Sequence, residues 1–100
     1  MDRPARQNMT EDAAASDWLR LDKFLVFARF CKTRSMAEAL VEMGAVRVNR
    51  QPTDKPHAKL RPGDVLTLAL PQGVKVVEIL LLPERREAAP VAQNCYREIQ

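Results

Sequence analysis

The chain has 100 residues, 46% hydrophobic and 29% charged, with a formal net charge of +3. That is one domain's worth of chain with an ordinary soluble composition, which excludes wholesale disorder and leaves no room for a core plus a separate catalytic module. No apolar run approaches the roughly 18 residues a membrane helix needs, and the N-terminus lacks the apolar centre of a secretory signal, so a cytoplasmic protein without membrane contact is expected.

Residues 1–16 are polar, aperiodic and rich in small side chains, and read as a disordered tail. A domain is expected over 17–82, followed by a C-terminal loop and short helix over 83–100. Ser16 or Asp17 is the expected cap of a helix beginning near Trp18. Leu21, Phe24, Leu25 and Ala28 follow the i, i+3, i+4, i+7 stripe of an amphipathic helix. This helix is expected to stop near Cys31. Thr33 then caps a second helix, with Met36, Ala37, Leu40 and Val41 as its apolar stripe and Gly44 as its left-handed terminator.

After Gly44 the period changes from 3.6 to 2. "AVRVN" alternates as a half-buried strand does. Asn49-Arg50 stands where Asn-Gly would make a tight hairpin, which predicts a longer or looser loop. "RPGD" is a turn, and "VLTLAL" and "VKVVEILLL" form an antiparallel hairpin across "PQG". Pro90 at a first helical position begins a short helix reaching Tyr96. The fold class is α+β, a helix pair packed on a small, mostly antiparallel sheet.

Charge is unevenly spread along this plan. Met1 to Leu19 is net −2 and Gly63 to Gln100 net −1, whereas Arg20 to Pro62 holds ten basic and four acidic residues. Such a block is either a solvated basic face or the footprint of an anionic partner, of which nucleic acid is the commonest.

Enzyme signatures are absent: the sequence has no GxGxxG, GxxxxGK[ST] or GxSxG. His57 is the lone histidine, in a loop with no evident acid or nucleophile, and Cys31 and Cys95 lie far apart as expected reduced thiols. No metal, cofactor or catalysis is expected. Asp22 and Asp64 read as isolated carboxylates. The first is favoured by the helix dipole, and the second stabilises its turn.

Positive charge gathers instead where the two helices meet. Helices joined by "CK" must cross steeply, bringing the end of the first near the start of the second. A helix N-terminus offers free N–H groups to a phosphate, and Lys32, Thr33, Arg34 and Ser35 surround it, with Arg29 just upstream. Arg20 and Lys23 can share a face. The bland alternative pairs Arg34 with Glu38 at i, i+4, which accounts for one cation and leaves the others unexplained.

"RLDKFL", "KTRSMAEALVEMGAVRVN", "KP" and "RPGDVL" together resemble the RNA-binding domain of the ribosomal protein S-four type, the αL RNA-binding motif, over about Arg20 to Leu66. "RLDKFLVFARFCKTRSMA" and the later "ERR…Y" are similar to its small bacterial heat-shock, ribosome-associated branch. The resemblance implies a non-enzymatic protein that binds ribosomal RNA on the large ribosomal subunit when a nascent chain on tRNA has stalled there. It also implies RNA-facing roles for Arg20, Lys23, Arg29, Lys32, Thr33, Arg34 and Ser35, with Arg47, Asn49 and Arg50 on the strand–loop side. Leu21, Leu25, Ala37, Leu40, Val46 and Val48 become core. Two departures stand out: Arg50 replaces the glycine after Asn49, and the last third lacks the basic character of longer members' tails.

Phe24 falls on the core stripe, and Phe27 and Phe30 are assigned to packing rather than base stacking. Recognition of folded RNA by shape and phosphate is therefore expected, by a monomer. If about five cations each neutralise a phosphate, affinity falls with a log–log salt slope of roughly −4. The readings of other classes are a protein-binding adaptor using the sheet or the terminal helix, an accessory subunit lending RNA binding to a modifying enzyme, and DNA binding through the second helix.

Overall fold

The computed structural model describes residues 17–85 and 88–99. The expected tail over 1–16 lies outside the described residues. The first element is a short strand rather than a helix: β1 (Leu19–Arg20) pairs antiparallel with β4 (Lys59–Leu60). Helix α1 (Leu21–Phe27) starts directly from it, with Arg20 in the cap position and no side-chain cap. Two of its free N–H groups donate to a distant loop instead, Leu21 to the Ala58 carbonyl (2.8 Å) and Asp22 to that of Pro56 (3.0 Å). Capping by Ser16 or Asp17 near Trp18 is thus replaced by carbonyls that no local pattern announces.

Helix α1 also ends earlier than its periodicity suggests, at Phe27 rather than near Cys31. Arg29 takes a left-handed conformation (φ 69°), its N–H donates to Val26 and that of Phe30 to Leu25. This is a Schellman cap built on arginine. The connection to α2 (Arg34–Glu42) is consequently Ala28–Thr33, not the two residues "CK". Thr33 caps α2 as expected, its Oγ1 accepting from the Met36 N–H at 3.1 Å. Ala37 and Val41 are buried, but Met36 is 52% exposed and leaves the stripe. The same Schellman pattern closes α2 on Gly44 (φ 86°).

The sheet is fully antiparallel, in the order β3 (Gln51–Pro52), β2 (Val46–Val48), β5 (Val65–Leu70), β6 (Gly73–Ile79) and β7 (Tyr96–Glu98). Val48 pairs directly with Gln51, so Asn49-Arg50 is a two-residue turn with both residues at positive φ (51° and 71°). The looser loop is not formed. Asn49 supplies the reason: its Oδ1 accepts from the Val65 N–H (2.9 Å) and its Nδ2 donates to Asp64 (3.0 Å), tying the turn to the neighbouring strand. Asp64 stabilises its own turn too, accepting from the Arg61 N–H at 2.9 Å.

Beyond the short helix α3 (Ala89–Ala92), a 3-10 turn over Gln93–Cys95 delivers the chain to β7 on the sheet edge. The helix does not reach Tyr96, which is already extended. Strand alternation separates two faces. Val46, Leu66, Leu68, Val77 and Ile79 point inward and form one core cluster with Leu21, Phe24, Leu25, Ala37, Val41 and Leu60. Leu40 and Val48 are half-buried against it, and Cys31 and Cys95 are buried and not joined in a disulfide. The other face shows Arg47, Thr67 and Val76 in register, with no helix over them among the described residues.

Candidate nucleic-acid interface

Asp22 organises the start of the helix pair. It lies three residues before Leu25, on the flank of the apolar stripe, and is fully buried. A carboxylate buried without partners would be strongly disfavoured. Here both oxygens are filled: Oδ1 accepts from Arg20 Nε (3.1 Å) and the Lys23 N–H (2.7 Å), and Oδ2 from Arg20 Nη2 (3.0 Å) and Arg34 Nε (3.1 Å). Burial pushes the Asp22 carboxyl up, but the hydrogen bonds and charges of Arg20 and Arg34 more than offset this and hold it below the ordinary carboxylate value. Asp22 is therefore not isolated. Glu38 lies 3.9 Å from Arg34 Nε and is the weaker partner.

The connection between the helices is pinned from below. Phe30 packs its ring 4.8 Å from that of Tyr96 on β7 and 6.5 Å from Phe24 in the core. Its neighbours are turned outward: Arg29, Lys32, Thr33, Arg34 and Ser35 are exposed. Phe30 is thus a packing residue, and the last strand props up the segment that carries these cations. Thr33 spends an acceptor lone pair on its cap and keeps its hydroxyl proton for another acceptor.

The remaining candidates fall elsewhere. Arg47 is exposed and alternates with the inward Val46 and Val48, so it projects from the sheet face opposite the helices. Asn49 commits its amide to the hairpin, whereas Arg50 is exposed at its tip. These two border an open depression of about 480 Å³ on the outer face, whose other walls are Val65, Thr67, Val76 and Ile99. The structure brings the side chains of Arg20 and Arg34 together through Asp22, which takes only the backbone N–H of Lys23, and places Arg29 and Lys32 on the adjoining segment, while Arg47 stands apart.

One neighbour was not anticipated. Lys59 is the register partner of Arg20, and its ammonium sits 4.8 Å from the ring centroid of Trp18. It adds a cation beside the helix start, held by cation–π attraction. Only the β1–β4 pairing reveals it. Among the described residues no group of three or more His, Cys, Asp or Glu could hold a metal ion, and no helix is long and apolar enough to cross a membrane.

A helix pair packed on a small antiparallel sheet, with cations at the helix junction, defines the class, and residues 19–66 match the family described as S4 domain. The chain is 37% identical to the heat shock protein 15 homolog of Aeromonas salmonicida over 92% of this chain and 69% of that one. The homolog from Haemophilus influenzae is 40% identical over 82% of this chain and 62% of its own length. The trimeric heat shock protein 15 of Vibrio cholerae superposes with a TM-score of 0.77 at 41% identity, covering 82% of each chain. The chain belongs to the heat shock protein 15 family of S4-domain proteins. It is also 33% identical to the RQC P-site tRNA stabilizing factor of Bacillus subtilis, over 61% of this chain and 70% of that one.

Proposed function

We propose that the chain is a non-catalytic, cytoplasmic RNA-binding protein that docks as a monomer on structured ribosomal RNA of the large subunit, beside a stalled peptidyl-tRNA, in a heat-shock or ribosome-rescue role. The observation that carries this reading is the helix junction: exposed Arg29, Lys32, Thr33, Arg34 and Ser35 adjoin Arg20, Lys23 and the buried Asp22. Cations, forked guanidiniums and a hydroxyl donor on one rigid edge suit a sugar–phosphate backbone. Arg50 would reach a further phosphate from the hairpin tip, with Asn49 holding the turn, and Arg47 would contribute from the outer face. The name of the Bacillus relative, which specifies P-site tRNA, supports the tRNA partner.

Footprinting of large-subunit RNA with the purified chain tests the site. Protection of one contiguous RNA region by wild type, lost with Lys32→Glu, supports the reading. An unprotected RNA at saturating protein contradicts it. Sedimentation of the free protein decides between a monomer and the assembly named for the Vibrio relative.

The outer sheet face favours a second reading. Val74 is 58% and Ile99 43% exposed there, an apolar character suited to a protein-binding adaptor or to an accessory of an RNA-modifying partner. Retained RNA binding after Val74→Asp, with a partner lost, would distinguish it.

A further inference from the structure

We propose that Asp22 is a positioning residue for nucleic-acid binding, holding the guanidinium groups of Arg20 and Arg34 as one preformed clamp for a phosphate backbone. This rests on the RNA-binding reading above. Asp22 engages Nε and Nη2 of Arg20 but only Nε of Arg34. Left over for a ligand are Nη1 of Arg20 and both terminal amino groups of Arg34, on side chains 34% and 49% exposed.

Charge alone does not explain this arrangement. A carboxylate among these arginines removes a unit of positive charge from the edge that would meet phosphate. What it supplies is geometry. Two long cationic side chains repel each other and lose rotamer freedom when they dock, and a shared carboxylate removes both obstacles in advance. The Lys23 N–H fixes the carboxylate in turn (2.7 Å), so the clamp is anchored to helix backbone. Because Asp22 belongs to α1 and Arg34 opens α2, the same contact also ties the start of the second helix to that of the first.

Charge counting and positioning predict opposite signs, which makes the proposal testable. Equilibrium binding of the full chain to purified bacterial large ribosomal subunits is measured across a KCl series for wild type, Asp22→Asn and Glu38→Gln. Thermal unfolding confirms that each variant is folded. Both substitutions remove one negative charge near Arg34. The clamp predicts about tenfold weaker binding for Asp22→Asn, on the scale of freeing one or two ordered side chains, and equal or tighter binding for Glu38→Gln. Asp22→Asn binding as tightly as wild type, or more so, overturns the proposal.

Should Asp22→Asn fail to fold, Arg34→Lys serves in its place. It keeps the charge but lacks a fork that can engage Asp22 and still present two terminal donors. About tenfold weaker binding at an unchanged salt slope is expected, and wild-type affinity overturns the clamp. A wild-type chain that binds no subunits at any salt removes the RNA-binding reading itself, and the clamp with it.

Discussion

Helices α1 and α2 end in the same hydrogen-bonded cap, yet they fill its left-handed position with opposite residues. At the end of α2 stands Gly44 (φ 86°), which enters that region without steric cost. At the end of α1 stands Arg29 (φ 69°), a side chain for which the same backbone is disfavoured by roughly 1–2 kcal/mol. The hairpin repeats the contrast. Gly73 (φ 133°) opens β6 directly after the Pro71-Gln72 turn, whereas Arg50 (φ 71°) occupies the second position of the β2–β3 turn. Where the backbone serves only the fold, the residue suits the backbone. Where an arginine sits at a left-handed position, it is exposed and basic, as a contact with an anionic partner would need.

The largest effect tests whether the start of α1 matters more than its end. Asp22→Ala removes the buried acceptor of four hydrogen bonds. A loss of about 1–3 kcal/mol in thermal unfolding is expected, limited because Arg20 and Arg34 are partly exposed and can rehydrate. Acid titration sharpens this. The folded pKa of Asp22 is depressed, so its stabilisation is full above the unfolded carboxylate value and is lost as pH falls through the folded one. The fall in stability toward low pH should therefore be shallower in Asp22→Asn. An identical acid profile would remove Asp22 from the stability of the helix pair.

A smaller effect separates the two caps. Gly44→Ala should cost about 1 kcal/mol with RNA affinity unchanged. An added Cβ meets nothing within 4 Å there, so the cost is conformational alone. The smallest and most diagnostic change is the reverse. Arg50→Gly should leave stability unchanged or raise it by up to about 1 kcal/mol while weakening binding to large subunits. A stability loss without an affinity loss would make Arg50 structural and dissolve the contrast.

Much of the fold was legible because its signals are local. The stripe from Leu21 to Ala28, the Thr33 cap, Gly44 and the alternation of "VLTLAL" each lie within a few residues of what they specify. Three of the misreadings share a cause, since each depended on a partner distant in sequence. Carbonyls at residues 56 and 58 start α1, Val65 and Asp64 tighten the Asn49 turn, and β7 exists only because β6 offers an edge. The cations of the candidate site were visible as a block, but the carboxylate that assembles two of them was not. Arg34 is twelve residues from Asp22, beyond any helical spacing.

The most direct test of the central claim is co-sedimentation of the chain with large ribosomal subunits at low and moderate salt, beside Lys32→Glu. Lys32 is exposed and makes no hydrogen bond or ion pair among the described residues, so reversing it leaves the fold intact. The account predicts that wild type travels with the subunit, that rising salt releases it steeply, and that Lys32→Glu stays at the top of the gradient. Wild type remaining at the top at both salts, or Lys32→Glu sedimenting as wild type does, would contradict it.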